Sequence, residues 1–508
     1  MYSKRTSLCD IEMEKTKEAK TGDEENIITA DVQPNATDGS FVSFTDFNAE
    51  TATLQGKNPE LKPRKSWRQY LQVAVCGIGL LSDGYCLSSI GAVITILKSL
   101  YPRESKSHQN IEHISMSSYI GTIMGQLLFG VFSDAVGRKT GMVTATGILI
   151  VATALCSGAY GLHGSINSMF QALIAYRFFL GIGVGAEFVC GSIAASESSN
   201  EIRSGIRHSI FVIVTDTATV VGHILGALVP YILVVIFGEN HLRIVWRLSI
   251  GFGVILPIVF LILRLRMVEV KAYVSHRISM RKVPWRLVTK LYGPRLLLIS
   301  IIWFANDLIV CAFSLYSSSI VKGLLPEDAS MAKTFGWTVL IQSFSLPGSL
   351  LGAYFSDVLG PKRCLIVGMI LQGTVGLFMS GFFHQLIHRI ACFCVLYGLF
   401  LSFSEFGVLS NLGLLAAKTS PTPIRGLYYG IAATVSRCGA IAGIYVFGGN
   451  QFQKYFYVAS GIYFFIAFLS FFLPHVNQSC VEEENDRLMK RCILEGIDPN
   501  SFRDKLDL

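Results

Sequence analysis

Seven ionisable side chains stand inside otherwise apolar runs of the sequence: Asp83, Arg177, Glu187, Asp216, Asp307, Glu405 and Arg437. On insertion scales an ionisable group at a bilayer centre costs about 2.5–3.5 kcal/mol, so seven facing lipid would cost about 20 kcal/mol. They must therefore face a protein interior or an aqueous cavity. A buried base there can hold an anion, and a buried acid can carry a proton. No nucleophile beside a base, metal-ligand spacing or phosphate-cradling loop accompanies them. Chemistry on a substrate is not indicated, and no metal or cofactor is expected. His223 could titrate near neutral pH, although a lone helical histidine more often serves packing; Gln126 and Gln342 are similarly open.

The elements holding these residues follow from composition. Of 508 residues, 51% are apolar and only 15% charged, and the mean hydropathy is +0.49. A soluble protein carries about 25% charged residues. A disordered protein, a secreted disulfide scaffold and an ordinary cytosolic enzyme are excluded. Twelve apolar blocks are long enough to cross a bilayer: 69–98, 115–134, 141–161, 168–192, 209–237, 246–264, 296–320, 334–356, 364–382, 391–415, 427–448 and 454–474. The expected fold class is an all-α membrane protein with twelve transmembrane helices. The 12 cysteines mostly lie in apolar runs and read as small hydrophobes. The start, MYSKRTSLCDIEMEK, lacks a short apolar core, so no cleaved signal peptide is expected.

Charge sets orientation. With loops on alternating sides, the loops on the side of the tails hold 17 Lys/Arg and the opposite loops nine. The richer side is cytoplasmic, so both tails are expected in the cytosol, with the sequons at Asn35 and Asn477 unglycosylated. The net +8 thus signals a partner bilayer, not nucleic acid. The expected organisation is a disordered N-terminal tail at 1–66, a six-helix bundle at 67–264, a basic cytosolic loop at 265–295, a second bundle at 296–474, and a C-terminal tail at 475–508.

The two bundles repeat each other. GVFSDAVGRK (130–139) is echoed by AYFSDVLGPKR (353–363), which sets Asp134 and Asp357 apart by 223 residues. Asp83 and Asp307 differ by 224, Glu187 and Glu405 by 218, and Asp216 and Arg437 by 221. Parallel six-helix repeats place substrate at their interface near the midplane. At about 1.5 Å per residue, Asp307 and Arg437 lie roughly 16 Å and 15 Å into their helices, near the middle of a core about 30 Å thick.

The G-x-x-x-D-x-x-G-R-K loop, its degenerate copy and the six-and-six split resemble the major facilitator superfamily over about 408 residues. SDGY (82–85), YRFFLGIGVGAEF (176–188), AASE (194–197), WFAND (303–307) and IRGLYYGIAATVSRCGA (424–440) look like its phosphate and organophosphate proton symporters. They are most similar to the fungal glycerophosphodiester permeases. The resemblance implies proton-coupled uptake of glycerophosphoinositol or glycerophosphocholine at the plasma membrane, by a monomer that needs only the proton gradient. Arg437 stands where phosphate symporters carry a Lys, and its planar fork suits phosphate oxygens. It could instead form a structural ion pair with an interior carboxylate such as Asp307. Trp303 and Asp307, one turn apart, supply a substrate wall and the leading proton-coupling acid, although Asp307 could be a permanent partner of Arg437.

The resemblance gives Glu187 and Arg177 to proton handling or interior pairing, and Asn411 to substrate oxygens, while Asp83, the acid of SDGY, is open between a proton pathway and helix packing. Asp216 could bind a cationic or hydroxyl-rich head group, or pair with Arg437. Phe188 replaces a tyrosine of the phosphate symporters, which counts against inorganic phosphate. Gly130, Asp134, Gly137, Arg138, Lys139 and Asp357 form the conformational motif, expected to brace helix ends, more weakly in the second copy because Pro361 replaces the arginine. The rival readings are inorganic phosphate symport and a non-transporting nutrient sensor, for which the tails and the acidic EEEND (482–486) would suit partners.

Overall fold

The computed structural model describes residues 67–106, 110–269, 273–274, 283–326, 329–447 and 451–495. The expected tail at 1–66, including Asn35, and much of the central loop lie outside the described residues. Among the described residues, eleven helices are long and apolar enough to cross a membrane: α1 (Gln69–Leu100), α2 (Asn110–Ala135), α3 (Arg138–Ser157), α4 (Ile166–Ser199), α5 (Arg207–Phe237), α6 (Glu239–Leu265), α7 (Trp285–Leu324), α9 (Pro361–Gly381), α10 (Ile390–Lys418), α11 (Thr422–Val446) and α12 (Phe452–Ser470). Hydrocarbon offers the backbone no partner, so spanning segments must bond internally as helices.

The remaining span, expected at 334–356, is α8, formed by Met331–Ser343 and Ser345–Val358 in succession. Phe344 between them keeps helical angles (φ −66°, ψ −22°). Pro347 explains the interruption, because it has no N–H to donate to the Ser343 carbonyl one turn back. With α8 the spans among the described residues number twelve, and no strand is present there.

Two corrections concern the ends of elements. The central connector is shorter than the expected 265–295, because α7 begins at Trp285. Its first turns bury Leu287, Val288 and Tyr292. The stretch 475–508 is not simply a tail: Cys480–Leu494 forms α13, with Val481, Asn485, Leu488 and Cys492 buried at helical spacing. The Tyr292 hydroxyl donates to the Glu484 carbonyl (3.2 Å), and Arg295 pairs with the Glu484 carboxylate (2.7 Å). Glu484 thus ties α13 to the early start of α7, and Asn485 ties it to Thr422 at the start of α11 (2.8 Å). All eleven cysteines among the described residues are free. Outside the spans, burial pushes the Cys480 thiol up to about 11.

The repeat is visible in the packing. α1 packs on α5 as α7 packs on α11, and α3 on α6 as α9 on α12. The halves meet through α2 with α11, α5 with α8, and α1 with α7. The turn after α2 passes through Gly137 (φ 147°), and the turn after α8 through Gly360 (φ 84°). These are equivalent positions in the left-handed region that glycine enters without a Cβ penalty. At the α2–α11 crossing, a Cβ on Gly130 would sit 2.8 Å from the Gly426 carbonyl oxygen. Only glycine allows that approach.

Candidate functional site

A cavity lies between the halves. Asp83 of α1, Phe188 of α4, Asp216 of α5, Trp303 and Asp307 of α7 and Arg437 of α11 line it. His223, Gln342 and Glu405 line it too, so nine of the residues singled out from sequence share one cavity. Tyr119 and Tyr429 join them.

Arg437 and Asp307 form an ion pair, Nη1 to Oδ2 at 3.1 Å. The same guanidinium lies 5.4 Å from the Phe188 ring centroid, a cation–π contact. Its Nε has no partner among the described residues, so donor capacity remains. Phe188, Trp303 and Tyr429 form a mutual aromatic cluster, with centroids 5.7–6.1 Å apart. Tyr429 brings from α11 a phenol that α4 lacks at Phe188. Its signal in the sequence was its place about two turns before Arg437 in the same helix.

Asp216 does not pair with Arg437. Its Oδ2 accepts hydrogen bonds from Ser349 (2.7 Å) and Ser410 (2.8 Å) of the opposite half. Glu405 is its carboxyl neighbour, and Glu405 Oε2 has no partner among the described residues. Each acid stands in a wide π-turn, Ile213–Thr217 in α5 and Glu405–Leu409 in α10. Such turns insert an extra residue and recur at functional sites.

Three expected site residues lie outside the cavity wall. Glu187 is fully buried and pairs with Arg264 through both carboxylate oxygens, one contact at 2.5 Å. Arg264 reads as a loop base in sequence because it ends the sixth apolar run, yet it is fully buried here. Arg177 donates to the Cys86 carbonyl (3.1 Å). Asn411 is occupied by the Gly407 carbonyl (2.8 Å) and the Ser356 hydroxyl (2.6 Å), bracing the α10 π-turn against α8. Asp83 does face the cavity, and neither of its oxygens has a hydrogen-bond partner among the described residues.

The loop motif closes the tail side. Asp134 accepts from the Gly426 and Leu427 N–H groups (3.0 and 2.9 Å), capping α11 of the other half. Arg138 holds Asp134 at 2.6 Å and Glu197 at 2.9 Å, and Arg425 holds Glu197 at 2.9 Å. The backbone N–H groups of Arg138 and Lys139 donate to Glu269, each at 3.1 Å. In the second copy Asp357 accepts from the N–H groups of His208 (3.1 Å) and Ser209 (3.0 Å), capping α5 of the first half. It has Gln478 (2.6 Å) where the first copy has an arginine. On the far side, the Met331 N–H donates to Glu239 (2.5 Å), joining the halves there as well.

The sugar (and other) transporter family matches residues 71–277 and 264–487. The glycerophosphocholine permease GIT4 of Candida albicans is 40% identical over 437 residues, spanning 83% of this chain and 82% of that one. The major glycerophosphoinositol permease GIT3 of Candida albicans is 36% identical over 478 residues, spanning 91% and 87%. Among solved structures, the major facilitator proton:xylose symporter XylE of E. coli superposes with a TM-score of 0.71 at 16% identity, over 83% of this chain and 99% of that one.

Proposed function

The chain belongs to the sugar (and other) transporter family of the major facilitator superfamily, and on that premise we propose that it carries glycerophosphodiesters with protons across the plasma membrane, both tails being cytosolic. The protein is an integral multi-pass membrane protein of a transporter family. The observation that carries the finer reading is the Arg437–Asp307 pair, 3.1 Å apart, on the wall of a cavity between the halves.

Charge counting gives the mechanism. A phosphodiester is a single anion. With the cavity empty, Arg437 and Asp307 neutralise each other. With a proton on Asp307 and a diester on Arg437, the site is neutral again. A proton alone leaves an uncompensated guanidinium, and a diester alone leaves an uncompensated anion. Either imbalance in a low-dielectric interior costs several kcal/mol. Only the empty and the doubly loaded cavities avoid that cost, which is the condition for symport. The free Nε and the fork of Arg437 receive the phosphate oxygens. The halves then rock about the loaded site, breaking the Asp134–Arg138–Glu197–Arg425 network to open the cytosolic side. The proton gradient drives the cycle without a cofactor.

The test is uptake by cells lacking their own phosphate and glycerophosphodiester permeases, with each labelled diester and with phosphate, at pH 5 and pH 7.5. Diester uptake is expected to be several-fold faster at pH 5 and at least a hundredfold lower in Arg437→Ala. Uptake of phosphate alone would replace this reading with inorganic phosphate symport. Surface-expressed protein that takes up none of them would overturn it.

A further inference from the structure

The cavity wall carries four carboxyl groups, Asp83, Asp216, Asp307 and Glu405, against the single guanidinium of Arg437. Asp307 is matched to Arg437. Asp216 is held by serine hydroxyls, and Glu405 Oε2 and both Asp83 oxygens have no partner among the described residues. Asp216 and Glu405 are hydrogen-bonded to each other, which requires a proton between them, because two ionised carboxylates there would repel. A cation at the pair would take over the role of that proton, and His223 is the other basic group among the described residues of the wall.

Tyr429 interacts electrostatically with both Arg437 and Asp216, and its ring packs with those of Phe188 and Trp303. Aromatic faces attract ammonium groups, quaternary ones included. The same cavity thus offers a guanidinium to a phosphate, and carboxyl groups with aromatic faces to a cation.

Resting on the proposed diester transport, we propose that Asp216 and Glu405, with the faces of Trp303 and Tyr429, form the head-group subsite and select glycerophosphodiesters with a cationic amino-alcohol head over those with a neutral polyol head. A zwitterionic diester brings its own positive charge to the acid pair. An inositol head brings only hydroxyls and gives that pair no charge to exchange for its proton. Two serines of the opposite half, Ser349 and Ser410, fix Asp216 in place, so the subsite is complete only when the halves are together.

The experiment measures uptake of labelled glycerophosphocholine, glycerophosphoethanolamine and glycerophosphoinositol by the full chain in permease-deficient cells, with surface abundance quantified. The unaltered protein is expected to show a choline-to-inositol ratio of kcat/KM of at least ten. Asp216→Asn and Glu405→Gln should each lower that ratio at least tenfold, and Glu405→Asp should restore part of it. Preference for the choline over the ethanolamine diester would assign the larger share to the aromatic faces, and the reverse to the carboxylates. Equal losses for all three diesters, or a preference for inositol in the unaltered protein, would overturn the subsite while leaving diester transport standing. Uptake of no diester by the unaltered protein would remove both. If the variants fail to reach the surface, competition in the unaltered protein decides. Unlabelled glycerophosphocholine should then displace the label at concentrations at least tenfold below glycerophosphoinositol, and equal potency would overturn the subsite.

Discussion

Arg437 and Asp307 neutralise each other in the empty cavity, and that makes Asp307 the residue whose neutral form can be imitated. Asp307→Asn keeps the size and removes the charge, so Arg437 stays available to the diester at every pH. Net uptake in this variant is expected to fall at least tenfold and to lose its pH dependence, while exchange of external for internal diester persists. Counterflow measurements at pH 5 and pH 7.5 check this. Glu187 has a different role in energetics. Its partner Arg264 is completely buried, and removing one member of such a pair costs about 3–5 kcal/mol. Glu187→Gln is therefore expected to lower the thermal stability of the purified protein, measured as an unfolding midpoint in detergent. The interior charges were legible as types, because charge inside an apolar run is conspicuous. Their partners were not. Glu187 and Arg264 are 77 positions apart, and Arg264 ends its run where a loop base is ordinary. Asp216 was open between Arg437 and a head group, and only the packing of α5 on α8 and α10 brings Ser349 and Ser410 to it.

Among the elements, the long crossings were readable from hydropathy alone, since lipid forces helices of a known length. The break in α8 had a visible cause in Pro347. The early start of α7 and the existence of α13 did not register as apolar length, because each buries only part of its surface. The stripe Val481, Asn485, Leu488 and Cys492 is nevertheless helical in its spacing. Where α2 crosses α11, small size is the functional property. Gly426 faces the Gly130 carbonyl and the Asp134 carboxylate across the interface. Gly426→Leu is expected to hold these helices apart and to shift the protein toward the form open on the tail side. Labelling of single cysteines in the cavity by a membrane-impermeant maleimide added from the cytosolic face should rise several-fold.

For the whole molecule, the pseudo-two-fold relation was readable from four agreeing residue offsets, but not the way the loops use it. The motif aspartate of each half caps a helix of the other: Asp134 serves α11, and Asp357 serves α5. The first of these caps is reinforced by Arg138, Glu197 and Arg425, the second by Gln478 from the chain end. Sequence showed the loss of the arginine at Pro361 but not what stands in its place, because Gln478 is 121 positions from Asp357.

That reciprocity bears on covalent continuity. Each half presents a helix start that the other completes, so the information for docking resides in the surfaces and not in the peptide that joins them. The chain divided within 275–282 and expressed as two separate polypeptides should reassemble and recover uptake, measured by co-purification and transport. Either fragment alone would leave a helix start uncapped and should be degraded. A duplicated ancestral half could on the same logic have worked as a pair of identical subunits before its two copies were fused.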